Sequence, residues 1–165
     1  MVRWGLVVTS DSVKRGEKED RVTPLVEERL KEAGHSLVYR AVVGNDPIEI
    51  YYALFSALRQ GADVVLLTGG TGPNPRDITS MLVDRVCDKK LPGIGEEFRR
   101  RSISAGVLNA LMSTALGCVF SNRLVVASPG NPDAVSTMLD VLLPVVVHLL
   151  EQASGASHGA VHRHA

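Results

Sequence analysis

The sequence predicts an α/β domain built as a three-layer sandwich, with a mostly parallel sheet between two layers of helices. Two observations carry this prediction. Strand-like and helix-like segments alternate along the chain with short connections, as in parallel sheets with right-handed crossovers. The run at residues 63–68, DVVLLT, contains four consecutive apolar residues, which is typical of a parallel strand covered on both faces. A length of 165 residues favours one domain, which we place at residues 1–152.

The first elements follow from hydrophobic runs and helix-start signals. Residues 4–9 are apolar and rich in β-branched side chains, so they predict a buried strand, followed by a polar loop at residues 10–20. Thr23 is predicted to cap the first helix, with Pro24 at its first position and Gly34 at its end.

The remaining elements repeat this order. We predict strands at 36–43 and 63–68, helices from Pro47 to about Gln60 and from Ile78 to about Val86, a helix at 96–105, a buried helix of small residues at 107–116, a hairpin formed by 118–120 and 124–127, and a final helix from Pro132 to about Gln152. The tail at residues 153–165 is rich in Gly, Ala, Ser and His, and is predicted to be solvated and disordered, its His158, His162 and His164 included.

Charge and composition exclude several function classes. The chain has 18 basic and 18 acidic residues, with 45% hydrophobic residues. This balance offers no polycation to a nucleic acid or an anionic membrane, so an anionic ligand must be held by a local site. We expect no nucleic-acid partner and no membrane partner.

The cysteines predict no covalent or metal framework, and the N-terminus and the apolar stretches predict a cytoplasmic protein. Cys87 and Cys118 lack CxxC spacing and are predicted to be ordinary reduced thiols, with neither a disulfide framework nor a zinc site. No signal peptide is recognised after Met1, and the apolar stretch at 141–150 is too short to span a bilayer.

The loops at the carboxyl ends of the strands are the candidate functional segments, because ligands bind there in open α/β sheets. Three such loops lie at residues 10–12, 69–77 and 129–132. The second contains Gly69, Gly70 and Gly72, which let the backbone approach a ligand closely.

This glycine loop is neither a Walker A loop nor a GxGxxG loop. A tight strand-to-helix turn and a phosphate cradle explain the glycines about equally well. Arg76 and Asp77 favour the phosphate cradle, since they place a cation and a carboxylate beside it.

Asp46 and Asp77 each allow two interpretations. Asp46 fits a capping box before Pro47, and Asp77 could cap the helix that follows it. Two carboxylates beside a glycine loop also suit a Mg²⁺ ion shared with substrate phosphates. Asn131 is a further capping candidate, and Glu96 could serve as a helix-entry acid or as a ligand contact.

Four segments in order resemble the MogA/MoaB family, which includes the gephyrin and plant Cnx1 G domains. The four segments are Thr68–Gly72, Arg76–Thr79, residues 91–96 (LPGIGE) and residues 129–132 (PGNP). The resemblance covers roughly residues 4–152. It implies a molybdopterin-binding fold, usually trimeric and sometimes hexameric, and adenylylation of molybdopterin by ATP with Mg²⁺, giving pyrophosphate. A molybdenum-insertion protein is a further partner that we expect.

The resemblance also implies roles for individual residues. Asp46 and Asp77 match the essential acids, taken as the catalytic pair and the Mg²⁺ ligands. The phosphate- and pterin-binding residues would be Thr68, Gly69, Gly70, Thr71, Gly72, Arg76, Ser113, Pro129, Gly130 and Asn131. The nucleotide-side residues would be Ser10, Asp11, Asp20 and Glu96.

Two segments depart from the family pattern and keep other functions open. Residues 79–82 read TSML where the family usually has Thr-Pro-Glu-Ala, and residues 112–114 read MST where it has Leu-Ser-Arg. A carboxylate and a ligand-side cation are therefore missing. The alternatives are a non-catalytic molybdopterin-binding or carrier protein and a CinA-like nucleotide pyrophosphatase.

Overall fold

A six-stranded sheet forms the middle layer of the computed structural model, which describes residues 1–155. In chain order its strands are β1 (Arg3–Thr9), β2 (Ser36–Val43), β3 (Val64–Thr68), β4 (Lys89–Lys90), β5 (Leu116–Phe120) and β6 (Arg123–Ser128). Their spatial order is β2-β1-β3-β6-β5-β4. The first four strands in this order are parallel, and β5 runs antiparallel to its neighbours β6 and β4. The predicted hairpin of residues 118–127 is the β5–β6 pair.

Helices cover both faces of the sheet, which confirms the predicted fold class. They are α1 (Asp11–Lys14), α2 (Val22–Glu32), α3 (Pro47–Arg59), α4 (Thr79–Val86), α5 (Pro92–Ser104), α6 (Pro132–Leu142) and α7 (Val146–Ala153). Leu66 of β3 packs in the cluster that contains α2, α5 and α6, while Leu67 packs in the cluster that contains α3 and α4. Alternate residues of one strand thus enter two cores, as expected for a strand buried on both sides.

Two helix starts near the N-terminus differ from the prediction. Asp20 accepts hydrogen bonds from the amides of Val22 and Thr23, at 3.0 Å each, so α2 begins before Thr23 and is capped by Asp20. Part of the predicted loop is the short helix α1, where the Ser10 hydroxyl accepts from the Val13 amide at 3.3 Å.

The second half holds three further corrections. Residues 107–116 do not form a buried helix; Leu108–Met112 is a largely exposed 3₁₀ helix, and β5 begins at Leu116. Helix α5 starts at Pro92 rather than Glu96. The final helix is two helices, because Pro144 lies between α6 and α7 and has no amide hydrogen to continue the ladder.

Cys87 and Cys118 form a disulfide, so the prediction of two reduced thiols is wrong. Their Cα atoms are 5.7 Å apart, and they lie 31 positions apart in the chain. Cys87 ends α4 and Cys118 lies on β5, two elements that pack together. Cysteine spacing cannot show this pairing, because it depends on where the fold places β5.

No single helix within residues 1–155 is long and apolar enough to cross a membrane. Helices α6 and α7 meet that test of length and composition only as a pair, bent by 64°. His158, His162 and His164 of the predicted tail lie outside the described residues.

Candidate active site

Two cavities open at the carboxyl end of the parallel strands. The larger, which we call the glycine-loop cavity, has a volume of about 510 Å³ and is bordered by residues 70–73, Asp77, residues 129–131 and parts of α5, α6 and the 3₁₀ segment. The smaller, the α2 cavity, has a volume of about 400 Å³ and is bordered by the ends of β1 and β3 and residues 18–22. Gly130 borders both.

Two positions of the glycine loop, Gly69 and Gly70, require glycine for conformational and steric reasons. Gly69 and Gly70 have φ angles of +94° and +70°, in the region that disfavours other residues. A Cβ atom on Gly69 would overlap the Thr9 carbonyl oxygen, and one on Gly70 would overlap the Thr79 hydroxyl. Close packing of the main chain therefore fixes the path of this loop.

The amides of this loop are available to a ligand. The Gly70 carbonyl accepts from the Thr79 amide at 3.0 Å, which closes the start of α4. Among residues 1–155, the amides of Gly70, Thr71 and Gly72 donate to no protein acceptor. Consecutive free N–H groups in a glycine loop are suited to bind phosphate oxygens.

Gly130 lies between the two cavities and packs against Gly69. A Cβ atom on Gly130 would lie 3.1 Å from the Gly69 Cα. The next residue, Asn131, caps α6 by accepting from the Ala134 amide at 2.9 Å. The two cavities therefore meet at a glycine, where no side chain separates them.

Thr68 offers a free hydroxyl to the α2 cavity. Its side chain is buried, and its Oγ1 has no hydrogen-bond partner within the described part of the chain. Thr68 lies two residues after Leu66 and so faces the same side of the sheet, towards α2 and α6. A buried hydroxyl without a partner is costly unless a ligand or water completes it.

Asp11 connects three loops at this edge of the sheet. Its Oδ1 accepts from the Asn45 amide at 3.0 Å, and its Oδ2 accepts from the Arg76 guanidinium at 3.1 Å. The Asn45 amide and then Arg76 hold the pKa of Asp11 below its usual value, against the effect of burial. Asp11 thus fixes the residues immediately before Asp46 and Asp77.

The structure places the two predicted catalytic acids differently. Asp77 borders the glycine-loop cavity, and its Oδ2 accepts from the Asn74 amide at 3.2 Å. Asp46 caps α3 through the Glu49 amide at 2.9 Å, and borders neither of the two cavities. Both carboxylates are half-buried and lie outside the apolar clusters.

Asp20 and Ser10 border the α2 cavity, as their nucleotide-side assignment requires. Asp20 also accepts from the Thr23 hydroxyl and, at 2.6 Å, from Arg40. Burial would raise the pKa of Asp20, but these hydrogen bonds outweigh it and lower the pKa. With its oxygens engaged in this way, Asp20 shapes the cavity wall.

Ser113 and Glu96, two further predicted site residues, differ in their position relative to the cavities. Ser113 borders the glycine-loop cavity, together with Pro129, Gly130 and Asn131. Glu96 lies exposed on α5 and borders neither cavity. The structure therefore does not bring Glu96 to the other candidates.

Sequence reasoning missed several residues that border the glycine-loop cavity. Asp133 and Thr137 follow the PGNP segment on α6, one helical turn apart. Their i, i+4 spacing places both on one helix face and could have indicated them. Ser102 on α5 and Asn109 in the 3₁₀ segment come earlier in the chain, and no local pattern singles them out.

The carboxylates present fit the Mg²⁺ ion that the resemblance implies. The second carboxylate oxygens of Asp46 and Asp77 accept no hydrogen bond from the described residues. Residues 1–155 contain no cluster of three or more metal-binding side chains. Mg²⁺ in phosphate sites is commonly held by one or two carboxylates and substrate oxygens, so a site completed by substrate is consistent with this chain.

The comparison with known families decides the identity. Residues 5–148 match the model of a family described as "Probable molybdopterin binding domain". The chain belongs to this molybdopterin-binding family. The predicted relationship is thereby confirmed.

Three members of this family, or of its solved structures, match this chain over most of their length. This molybdopterin-binding protein is 37% identical to the molybdopterin adenylyltransferase of Pyrococcus furiosus over 155 residues, covering 92% of this chain and 90% of that protein. It is 34% identical to the molybdenum cofactor biosynthesis protein B of Bacillus cereus, covering 90% and 88%. The crystal structure of the tungsten cofactor synthesizing protein MoaB from P. furiosus superposes with a TM-score of 0.87 at 35% identity, covering 93% and 98%.

Proposed function

We propose that this protein is an enzyme of molybdenum or tungsten cofactor biosynthesis that adenylylates molybdopterin with ATP. The observation that carries the proposal is the pair of cavities that meet at Gly130, one of them bordered by free loop amides. A transferase must hold two substrates with their reacting groups adjacent, and two cavities that share a glycine permit that approach. The names of the relatives support the same substrates.

Each substrate is assigned to one cavity. Molybdopterin binds in the glycine-loop cavity, where its phosphate accepts hydrogen bonds from the amides of residues 70–72. ATP binds in the α2 cavity, where Thr68 and Ser10 supply hydroxyl groups. The phosphate chain of ATP then lies towards Gly130.

The reaction needs alignment and charge neutralisation more than a strong base. The molybdopterin phosphate is already ionised near pH 7, so its oxygen attacks the α-phosphorus of ATP without prior proton transfer. The bond from the α-phosphorus to the bridging oxygen breaks, and pyrophosphate leaves with the electron pair. Loop amides stabilise the negative charge that accumulates in the transition state. Arg76 borders neither cavity and pairs with Asp11, so its positive charge acts on the phosphates through the local electrostatic field.

Mg²⁺ would supply further neutralisation of the phosphates when bound. Asp77 on the cavity wall would hold it, with Asp46 from the adjacent loop as the second carboxylate. Asp11 maintains this arrangement because it fixes both neighbouring residues, Asn45 and Arg76.

Incubation with ATP, Mg²⁺ and molybdopterin tests the proposal. We expect adenylyl-molybdopterin and pyrophosphate in equal amounts, identified by mass. Binding of molybdopterin without any pyrophosphate would indicate the carrier alternative instead. Cleavage of ATP without the adduct would indicate a pyrophosphatase. Either result contradicts the proposed transfer.

We further propose a cytoplasmic homo-oligomer, a trimer or hexamer, formed by the domain of residues 1–152. Exposed apolar side chains at Val107, Leu108 and Leu111 support an interface in the 3₁₀ segment, since 54–74% of their surface is accessible in the single chain. Analytical ultracentrifugation of the wild type and of Leu111→Asp tests this, and a wild-type monomer would contradict it. Transfer of the product to a molybdenum-insertion protein is the corresponding downstream proposal.

A further inference from the structure

Thr114 holds the carbonyl of Thr71 with two donors. Its amide donates to the Thr71 oxygen at 2.7 Å, and its hydroxyl donates to the same oxygen at 2.8 Å. A carbonyl oxygen has two lone pairs, and both are used here. The peptide group between Thr71 and Gly72 therefore has a fixed orientation.

This orientation determines where the Gly72 amide points. In a trans peptide the N–H points opposite to the preceding C=O, and no cis bond occurs in residues 1–155. The Gly72 N–H is therefore directed away from Thr114. Gly72 borders the glycine-loop cavity, whereas Thr114 borders a separate cavity behind the loop.

The segment that carries Thr114 is itself anchored. Arg99 on α5 donates to the carbonyl of Ser113 at 3.3 Å and to that of Ala115 at 2.9 Å. The Ser113 hydroxyl accepts from the Ala115 amide at 3.2 Å. The two residues that flank Thr114 are thus held by one half-buried cation.

We propose that Thr114 is a positioning residue, whose hydroxyl, anchored through Arg99, directs the Gly72 amide towards the phosphate of molybdopterin. This inference rests on the proposed function, because it assigns that phosphate to the glycine loop. It also gives a role to the residue that replaces the family's ligand-side arginine. Thr114 acts on the loop and does not contact the ligand.

Two substitutions at one position test this proposal. Thr114→Val removes the hydroxyl donor but keeps the shape and the amide bond, whereas Thr114→Ser keeps the hydroxyl. The readouts are the Kd of molybdopterin, measured from pterin fluorescence without ATP, and the KM of ATP. We expect the Kd to rise about 5- to 10-fold in Thr114→Val, as for one lost hydrogen bond, and to stay within about twofold in Thr114→Ser. The KM of ATP should not change in either variant.

Arg99→Lys provides an independent second variant. A lysine cannot donate to two carbonyls with the fixed geometry of a guanidinium, so the Kd of molybdopterin should rise here as well, without a change in the KM of ATP. This variant keeps the test decisive if Thr114→Val does not fold.

The outcomes separate this inference from the proposed function. Wild-type binding in Thr114→Val, equal losses in the Val and Ser variants, or a parallel rise in the KM of ATP would each overturn the positioning role. Absence of adenylyl-molybdopterin in the wild type would overturn the proposed function alone, because the binding comparison needs no turnover. A wild type that binds no molybdopterin would overturn both.

Discussion

The Asp11 carboxylate binds the Arg76 guanidinium at 3.1 Å, and so connects the end of β1 to the loop after β3. In Asp11→Asn this ion pair is lost, so the loop that carries Asp77 is no longer fixed to the end of β1. We expect the rate of adenylylation to fall about tenfold, in the range of losses for a misplaced charged group. Steady-state assays of pyrophosphate release provide the measurement.

Asp63→Asn is the matched control for that substitution. Asp63 pairs with Arg3 at 3.1 Å, but at the opposite end of the sheet. Asp63→Asn should lower the free energy of unfolding and leave the rate of adenylylation unchanged. Equal losses of rate in both variants would show that the Asp11 effect is one of stability.

Asp77→Asn and Asp46→Asn should each lower adenylylation by a factor of about 100 or more, because each removes a negative charge from the proposed Mg²⁺ site. The fold should survive, since Asn caps helices about as well as Asp and can replace Asp46 before α3. The measurements are turnover against Mg²⁺ concentration and thermal unfolding. Asp140→Asn, an exposed acid on α6, is the control. Wild-type turnover in both site variants would refute the metal role.

Gly130→Ala should raise the KM of both substrates, since the added methyl group would lie 3.1 Å from the Gly69 Cα and Gly130 borders both cavities. Gly93→Ala is the control, because nothing lies within 4 Å of its Cβ position on α5. Gly93→Ala should keep the KM of both substrates and raise the free energy of unfolding by up to about 1 kcal/mol. An effect of Gly130→Ala on one substrate only would contradict a shared wall.

Reduction of the Cys87–Cys118 disulfide should lower the free energy of unfolding by about 2–4 kcal/mol, as for a cross-link that closes a loop of this size. Urea unfolding with and without dithiothreitol measures the change. The double variant Cys87→Ser, Cys118→Ala should match the reduced wild type and be insensitive to the reductant. Two free thiols in the oxidised wild type would disprove the bond.

Asp20 predicts a pH dependence of stability. The pKa of Asp20 is lower in the folded state than in the unfolded state, where it is about 3.9. Its contribution to the free energy of unfolding is therefore complete above the unfolded-state pKa, and is lost as the pH falls through the folded-state pKa. Asp20→Asn should cost about 1 kcal/mol at pH 7, because the amide keeps the cap but loses the ion pair with Arg40, and the difference should shrink in that acidic range. Urea unfolding between neutral and acidic pH tests this. Glu28→Gln, at an exposed position on α2, should keep the wild-type profile.

Strands β1, β2, β3 and β6 and the caps of α3 and α6 could be predicted because their signals are local, whereas the two-residue strand β4 was not predicted. An apolar run and an Asp or Asn before a proline each act within a few residues, as Asp46 and Asn131 show. The 3₁₀ segment was mistaken for a core helix because small and apolar residues alone do not reveal which face is covered. Its apolar side chains at Leu108 and Leu111 are exposed.

Contacts between distant segments could not be predicted in this way. The disulfide joins residues 31 positions apart, and Thr114 reaches Thr71 across 43 positions. Loops at the carboxyl ends of the strands were correctly expected to be neighbours, but only the packed side chains show that Asp77 borders a cavity while Asp46 and Glu96 do not.

The boundary between the cavities also limits how this protein can be re-engineered. A methyl group on Gly69 would overlap the Thr9 carbonyl oxygen, and one on Gly130 would crowd the Gly69 Cα, so the main chain restricts side-chain exchange where the cavities meet. Other lining residues, such as Lys18 of the α2 cavity and Thr137 of the glycine-loop cavity, are better positions for changing specificity.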